Sequence, residues 1–527
     1  MLSLTFVCFI ALPIFTLITY LFYGPGESWQ HLQKTILPGY LANSFWLLIG
    51  TSILSLLIGV SSAWVVSRYE FTFRKQIEWL LILPLAIPSY ITAYAYAGIV
   101  DYGGLLEQLF GKTFPKIDVM NLTGLIWVLS LSLYSYVYVS ARAFFLYQSG
   151  RLLEASKMLG VGEFKSFFKL ILPLSRPAII SGLVLVLMEV LNDYGAAKHY
   201  GINTFTTGIF RAWFSLEEPE TAIYLSALLV SIIFILLLLE RWQRRNKNYS
   251  LNSKSEYGLT RIRKRNSVSI GIYFIVAIPM FFGFIAPLIQ LIQWAFLTYE
   301  SVFTSSFITT SLQSLGIAFL SALLTVVMAL VLLYTSKWNQ LAIVKQFSKI
   351  GVIGYAIPGA IIAIGVLIPT LEFDKWLASF LKKNYDIKIG LLLNSSIMAL
   401  LYAYVVRFIA VAYNPIEALT NKQAKSLVES SKLLGKNNLK TFFKVDFPLI
   451  KTGVLSAFVL VFVDVMKELP LTLILKPYQV ETLAVKAYEY ASDEQIMEAA
   501  LPSIFIIITG IIPIIFLNKL INNAKSN

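Results

Sequence analysis

The sequence is poor in charged residues, cysteine and histidine. Asp, Glu, Lys and Arg make up 14% of its 527 residues, and hydrophobic residues make up 57%, whereas soluble domains carry about 25% charged residues. This little charge cannot cover the surface of a soluble protein of such length, which excludes a soluble enzyme and a nucleic-acid-binding protein. With Cys8 as the single cysteine and only two histidines, a disulfide framework or a Cys/His zinc site within the chain is excluded.

Motifs for chemistry are also missing. The sequence has no Gly-x-x-x-x-Gly-Lys-Ser/Thr motif, so the chain has no phosphate-binding loop of that type. No nucleophile stands paired with a base in the sequence. We therefore expect a protein that is not an enzyme and binds no cofactor, with any ATP hydrolysis supplied by another chain.

Long apolar runs dominate what is present. A membrane-spanning helix needs about 20 mostly apolar residues, and the sequence predicts an all-α membrane protein with 12 transmembrane helices. The runs are roughly Leu2–Tyr23, Leu41–Val66, Trp79–Val100, Leu122–Leu146, Ala178–Tyr194, Ala222–Leu239, Ser269–Phe296, Ser311–Tyr334, Gly351–Thr370, Leu391–Ala412, Val454–Leu475 and Ala499–Leu517. The first lacks a charged leader and a small-residue cleavage site, so we expect a retained helix.

Basic residues are distributed unevenly between the loops. Of the 43 Lys and Arg residues, 31 lie in the tail and in alternate loops, and nine of these are in the linker 241–267. The positive-inside rule predicts that these loops and both termini are cytoplasmic. The net charge of +14 therefore indicates membrane topology rather than a nucleic-acid partner.

The chain contains an internal duplication. Glu154–Gly160 recurs as Glu429–Gly435 at an offset of 275, and Pro173 matches Pro448 without a gap. An earlier Ala-Ile-Pro at 86–88 recurs at 356–358, at an offset of 270. Because each half has six predicted spans, the two copies have the same orientation and are parallel repeats.

A cytoplasmic segment recurs in both halves, at 151–177 and 426–451. Each is predicted as two short helices joined at a glycine, Gly160 or Gly435, which takes positive φ and ends the first helix. Pro173 and Pro448 are predicted to break the second helix before the next span. Such an apolar surface helix can dock into a groove of a soluble partner or lie on the lipid, and the pattern alone leaves both open.

These segments resemble the EAA loops of binding-protein-dependent ABC transporter permeases. The family pattern fits Glu154-Ala-Ser…Gly160…Leu-Pro173 well, and Glu429-Ser-Ser…Gly435…Phe-Pro448 less closely. The resemblance implies the type I ABC importer permease fold and an ABC ATP-binding subunit dimer, which carries the ATP, as a partner. The residues that it assigns to ATPase coupling are Glu154, Ala155, Gly160, Glu429, Ser430 and Gly435.

Further segments resemble ferric-iron permeases. Val186–Gly195 and Thr204–Phe214 are similar to their first half, and Phe462–Pro470 and Tyr488–Glu494 to their second. The resemblance implies a bacterial inner-membrane permease with Fe3+ as the transported substrate, delivered by a periplasmic or extracellular ferric-iron-binding protein. It also implies a division into 1–40 (first helix and outer loop), 41–240 (first permease domain), 241–267 (linker), 268–306 (seventh helix and outer loop) and 307–518 (second permease domain).

Four acidic residues recur at matched places in the predicted spans. Glu189 and Asp193 are spaced i, i+4 and share one helix face, as do Asp464 and Glu468 in the other half. Charges within spans usually face a pathway or a partner, and hard cations prefer oxygen ligands. We therefore predict that the four line the substrate pathway and bind the metal.

Several alternatives stay open at this point. The four acids can instead pair with Lys467, Arg142 or Arg407 and lock helices together. The tyrosines of the third, fourth and tenth runs can add phenol oxygens to a pathway or form an interfacial belt. The same architecture can also carry another cargo such as thiamine. A secondary transporter and a membrane-embedded enzyme are the remaining alternatives.

Overall fold

The computed structural model describes residues 2–101, 104–111, 117–245, 261–262, 267–338, 357–422 and 425–526. Within these ranges the regular structure is helical, apart from an isolated parallel bridge between Tyr69 and Ile262. The α-helices of the first half are Leu2–Tyr20, Trp29–Thr35, Leu37–Arg68, Arg74–Leu80, Ser89–Val100, Leu105–Phe110, Leu122–Met158, Glu163–Ser166, Leu172–Asn192, Gly195–His199, Phe205–Phe210 and Pro219–Arg245.

The second half repeats this order in its described residues. Its α-helices are Ser267–Met280, Ala286–Val302, Ser305–Trp338, Gly359–Tyr385, Ile397–Lys422, Lys425–Leu433, Asn438–Thr441, Phe447–Met466, Pro470–Leu475, Leu483–Ser492 and Ala500–Ser526. Short 3-10 turns occupy Leu21–Tyr23 and Leu83–Ala86. Single π-turns occupy Phe167–Ile171, Arg211–Ser215, Phe281–Ile285 and Phe442–Asp446.

Eight described helices are long and apolar enough to cross a membrane, and each coincides with a predicted run. They are Leu37–Arg68, Leu122–Leu146, Glu163–Asn192, Pro219–Leu239, Ile270–Val302, Ser305–Trp338, Ile397–Asn421 and Asn438–Met466. Shorter apolar helices, Val7–Tyr23 and Ala500–Pro513, stand where the first and last spans were predicted. The predicted ninth run begins outside the described residues and continues as Gly359–Tyr385.

Two predicted spans are not continuous helices. Within the run Trp79–Val100, the α-helix Arg74–Leu80 ends and the 3-10 turn Leu83–Ala86 follows. Pro88, with an extended ψ of 142°, then starts a new helix at Ser89. The run Val454–Leu475 ends as a helix at Met466, and a separate short helix starts at Pro470. Both interruptions fall beside the cavity described below.

The same three-helix packing occurs in each half. Leu37–Arg68 packs along Leu122–Met158, which packs on Leu172–Asn192; Ser305–Trp338, Ile397–Lys422 and Phe447–Met466 repeat this arrangement. The helices that begin each half cross over. Leu2–Tyr20 packs on Gly359–Tyr385 of the second half, and Ala286–Val302 packs on Ser89–Val100 of the first. This exchange holds the halves together around a shared centre.

The prediction that Pro173 and Pro448 break a helix is wrong. Each proline lies in the first turn of a helix that directly continues a π-turn, so one continuous helix runs over Glu163–Asn192 and another over Asn438–Met466. A π-turn closes i to i+5 and widens the backbone locally. The π-turn lies directly before each proline. In a regular α-helix, the ring of a proline collides with the backbone at that place.

Candidate functional site

The matched acids Asp193 and Glu468 lie just past a helix end. The helices stop at Asn192 and Met466, so the prediction that the i, i+4 pairs lie on one helical face is wrong. The cause is that each carboxylate accepts hydrogen bonds from the exposed N–H groups of a following short helix. Asp193 accepts from Ala196 at 2.9 Å, and Glu468 accepts from Leu471 at 3.3 Å.

Neutral donors surround Asp193. The hydroxyl of Ser89 donates to one of its oxygens, and the N–H of Ala197 donates to the other at 3.3 Å. The side chain of Asp193 is buried. A buried carboxylate needs such donors to offset the lost hydration, and the donors described here are one hydroxyl and two backbone N–H groups.

Cations hold the acids of the second half. Arg407 Nε lies 3.2 Å from Glu468 Oε2, with both side chains buried, and Arg407 Nη1 also donates to the Ile357 carbonyl at 3.1 Å. Lys467 Nζ lies 2.9 Å from Asp464 Oδ1. Of the pairings weighed from the sequence, these two are present. Arg142 instead pairs with Glu78, away from the four acids.

One cavity of about 80 Å³ brings the four acids together. Both halves contribute to its wall, and the phenol of Tyr136 lies 3.5 Å from Glu189 Oε1. Four carboxylates face Arg407 and Lys467, so the formal charge of the lining is −2. Its ionisable and polar side chains are Ser89, Tyr90, Ser132, Tyr136, Glu189, Asn192, Asp193, Tyr194, Arg407, Asp464, Lys467 and Glu468.

Two hydroxyls in the cavity wall lack a hydrogen-bond partner among the described residues. They belong to Tyr90 and Ser132, whose exposed fractions are 4% and 2%. Buried hydroxyls normally have a partner, and these two oxygens are themselves buried rather than open to the cavity. Sequence reasoning grouped Tyr90 with other tyrosines and missed Ser132; the signal was the alignment of Ser132 with Arg407 at the offset of 275.

The buried tyrosines of the third, fourth and tenth runs cannot belong to an interfacial belt. Tyr94, Tyr134 and Tyr404 are buried in the packed core, as is Tyr90. Tyr404 shares a 2.6 Å hydrogen bond with Thr472. Burial removes these rings from the lipid–water boundary where such a belt must lie.

The described residues contain no group of three or more His, Cys, Asp or Glu side chains placed to hold a metal ion. Glu189, Asp193, Asp464 and Glu468 therefore surround the cavity without forming a closed set of carboxylate ligands.

The repeated segments, which the sequence predicts to be cytoplasmic, form two matched elbows, at 154–168 and 429–443. Gly160 and Gly435 have φ of 71° and 74°, and each reverses the chain between two helices as predicted. In the first half the helix before the glycine is not short, since it is the end of Leu122–Met158, which includes Glu154 and Ala155. Glu154, Glu429 and Ser430 are exposed.

A hydroxyl pair braces each elbow from inside. Ser166 donates to Ser156 at 2.9 Å, and Ser431 and Thr441 are 3.0 Å apart at matched positions. Apolar tips point outward: Met158 is 90% exposed and Leu433 89%. Such exposed apolar tips are not part of the core, and they suit either the groove of a partner or the lipid surface.

Comparison with known proteins gives the family. Residues 55–247 and 345–527 match the family described as binding-protein-dependent transport system inner membrane component. The chain is 25% identical over 508 residues to the Fe(3+)-transport system permease protein FbpB 2 of Haemophilus influenzae, covering 94% of this chain and 92% of that protein.

Shorter relatives align with part of the chain. The molybdate/tungstate transport system permease protein WtpB of Methanocaldococcus jannaschii is 27% identical over 238 residues, covering 44% of this chain and 92% of that protein. The spermidine/putrescine transport system permease protein PotB of Haemophilus influenzae is 27% identical over 183 residues, covering 33% and 63%. Because the family match covers both halves, this multi-pass helical chain belongs to the inner membrane components of binding-protein-dependent ABC transport systems.

Proposed function

We propose that the chain is the permease subunit of an ABC importer that carries ferric iron across the inner membrane. A separate ATPase dimer docks at the two elbows and hydrolyses the ATP. A soluble ferric-iron-binding protein delivers the ion from outside. The observation that carries this proposal is the cavity shared by both halves, with a formal charge of −2. Negative potential favours a cation in a low-dielectric centre and opposes oxyanions such as molybdate.

The size of the cavity supports a metal ion over an organic cation. Pockets that hold small organic ligands usually measure about 300–1,000 Å³, whereas this cavity measures about 80 Å³. Carboxylates also suit a polyamine or thiamine, and one relative is a spermidine/putrescine permease. An organic cation is therefore the second candidate.

Uptake assays separate these cargoes. Cells that express the chain with its ATPase and binding protein should accumulate radioactive iron in an ATP-dependent way, and excess spermidine, thiamine or molybdate should not compete. The variant with Glu189→Gln, Asp193→Asn, Asp464→Asn and Glu468→Gln should lose uptake while still co-purifying with the ATPase. Uptake of spermidine or thiamine in place of iron contradicts the ferric-iron assignment.

The proposal includes twelve spans with both termini in the cytoplasm and permease domains at 41–240 and 307–518. Cys8 is exposed, so its replacement gives a cysteine-free background. A single cysteine at Ser253 should react only with reagent on the cytoplasmic side, and one at Ser301 only with reagent outside. Labelling of both from one side contradicts the twelve-span topology.

A further inference from the structure

The end of the helix Gly359–Tyr385 carries a stripe of exposed aromatic rings. Phe373, Trp376 and Phe380 are spaced i, i+3 and i+7, so they share one helix face, and they are 47%, 57% and 43% exposed. The ring centres of Phe373 and Trp376 lie 5.8 Å apart, and the rings of Trp376 and Phe380 stack at 5.6 Å. A continuous apolar surface of this kind indicates a partner.

Another face of the same helix end is packed and hydrogen-bonded. Asp374 is buried and accepts hydrogen bonds from the N–H groups of Leu393 and Asn394, which holds the following segment against the helix. The matched helix of the first half, Ser89–Val100, has 12 residues, whereas Gly359–Tyr385 has 27. The aromatic stripe therefore lies on an extension beyond the part of the helix that the two halves share.

A contact with the first helix indicates the depth of this extension. The hydroxyl of Tyr20 donates to Glu372 Oε1 at 2.5 Å. Tyr20 stands near the end of the apolar helix Val7–Tyr23, and the chain continues as Gly-Pro-Gly-Glu at 24–27. In the proposed topology this helix is a span, so its apolar run ends at the lipid–water boundary and Glu372 lies at that level. The aromatic stripe begins one residue later and extends about 10 Å along the axis, across the headgroup layer.

Lysines accompany the aromatic stripe. Lys375, Lys382, Lys383 and Lys388 are exposed, and the ion pairs between described residues leave all four out. They are a third of the 12 Lys and Arg residues outside the basic loops, so the positive-inside rule does not account for them. The stretch 375–388 contains one acid, Asp386, and its formal charge is +3.

We propose that this helix end is an anchor that binds anionic phospholipid at the membrane surface. Trp and Phe rings at the headgroup level contact the adjoining acyl chains, and lysine ammonium groups on flexible stems reach the phosphates beside them. The depth set by Tyr20 favours lipid over a soluble protein, because a soluble protein would have to enter the headgroup layer to cover the aromatic stripe. The anchor does not depend on which cargo the permease carries.

Lipid quenching in nanodiscs tests the anchor. Replacement of Cys8 and introduction of one cysteine at Ser379, an exposed position of the same helix end, allow a fluorophore to be attached to the full-length permease. Spin-labelled phosphatidylglycerol, which is anionic, and spin-labelled phosphatidylcholine are compared as quenchers at equal mole fraction. Nanodiscs present both membrane faces, so the result is independent of topology. We expect phosphatidylglycerol to associate about tenfold more strongly at this site, and high salt to weaken that preference.

Paired lysine variants supply the control. Lys382→Gln with Lys383→Gln should reduce the preference about fivefold or more, and neutralisation of all four lysines should remove it. Lys34→Gln with Lys198→Gln makes the same charge change at exposed lysines elsewhere and should leave the preference unchanged, with thermal unfolding recorded for every variant.

Three results overturn the proposal: equal quenching of the wild type by the two lipids, equal losses from the two lysine pairs, or a fluorophore that neither lipid quenches but the soluble binding protein shields. Iron uptake in cells is scored separately. Uptake without a lipid preference refutes only the anchor, and a lipid preference without uptake refutes only the transport assignment.

Discussion

The two halves agree at the elbows and disagree at the cavity. Gly160 and Gly435 have nearly the same φ, and each elbow has an internal hydroxyl pair and an apolar tip. At the cavity, neutral donors hold Asp193 whereas Arg407 holds Glu468. The duplicated parts therefore diverged in one region and stayed alike in another.

The number of partners at each place accounts for this contrast. Under the proposed function each elbow meets one copy of a dimeric ATPase, so both elbows must fit the same surface. The cavity meets a single cargo on the axis between the halves, so its two walls need not match. Predictions that compare matched positions follow, from the largest expected effect to the smallest.

The elbows should contribute equally to ATPase binding. Glu154→Arg with Gly160→Pro, and Glu429→Arg with Gly435→Pro, should each weaken ATPase association by about 2–4 kcal/mol, the range of interface hot spots. The two changes combined should abolish co-purification and uptake while membrane insertion stays intact. ATPase association measured by co-purification checks this, and retention of the ATPase by the combined variant contradicts the coupling assignment.

The buried ion pair should make the second half's side of the cavity more important for stability than the first half's side. Arg407→Met leaves Glu468 buried without its cation, which typically costs about 3–5 kcal/mol. Ser132→Ala, at the matched position, should change stability by less than about 1 kcal/mol because its hydroxyl has no partner to lose. Thermal unfolding in detergent measures both.

Restoring charge balance provides the control for that comparison. Arg407→Met combined with Glu468→Met replaces both partners by apolar groups, which is often close to neutral. The double variant should therefore recover most of the lost stability. A double variant as unstable as the single one would show that Arg407 stabilises the protein through other contacts.

One helix of the second half is longer than its counterpart in the first half, and a single substitution should show what holds the segment after it. The helix Gly359–Tyr385 extends well beyond its counterpart Ser89–Val100, and its buried Asp374 accepts hydrogen bonds from Leu393 and Asn394 at 2.9–3.1 Å. Asp374→Ala should destabilise the segment 386–396 by about 1–3 kcal/mol. Amide hydrogen exchange measures this opening, with Ser379→Ala, an exposed site on the same helix, as the control.

The brace at Asp374 should resist mild acid. Burial raises the pKa of Asp374. The hydrogen bonds from the N–H groups of Leu393 and Asn394 and from the Asn394 amide lower it by more than burial raises it, so its pKa lies below the ordinary value of 3.8. The lowered pKa adds stability that is present above the ordinary value and is lost as the pH falls through the folded value. Exchange protection of 386–396 should therefore be the same at pH 7 and pH 5, and a loss between them would contradict this.

The smallest effect should come from the hydroxyl pairs of the elbows. Ser156→Ala and Ser431→Ala each remove one internal hydrogen bond, worth about 0.5–1.5 kcal/mol. Because the pairs are equivalent, the two losses should agree within about 0.5 kcal/mol. Thermal unfolding of the two variants checks the equality, and a clear difference would mean that the elbows are less alike than their geometry indicates.

Much of the fold could be predicted from local sequence signals. Apolar length located eight spans, and the repeated glycines located both elbows, since a positive φ after a helix end has a strong sequence signature. The helix ends at Asn192 and Met466 were missed because apolar residues continue past them. There Asp193 and Glu468 accept hydrogen bonds from N–H groups three residues further on, and an apolar pattern gives no sign of such a bond.

The sequence alone could not decide which basic residue pairs with each acid of the cavity. Arg142 and Arg407 both lie in spanning helices, and sequence distance does not tell which one reaches an acid. The structure pairs Arg142 with Glu78 and Arg407 with Glu468.

The unbroken helix Leu122–Met158 acts as a lever. It carries Ser132 at the cavity and Met158 at the elbow tip, and these positions are 26 residues or about 39 Å apart along the axis. A tilt of about 5° about the elbow end therefore swings the cavity end by about 3 Å, the length of a hydrogen bond. Small rotations at the elbow would be magnified into the making and breaking of single contacts at the cavity.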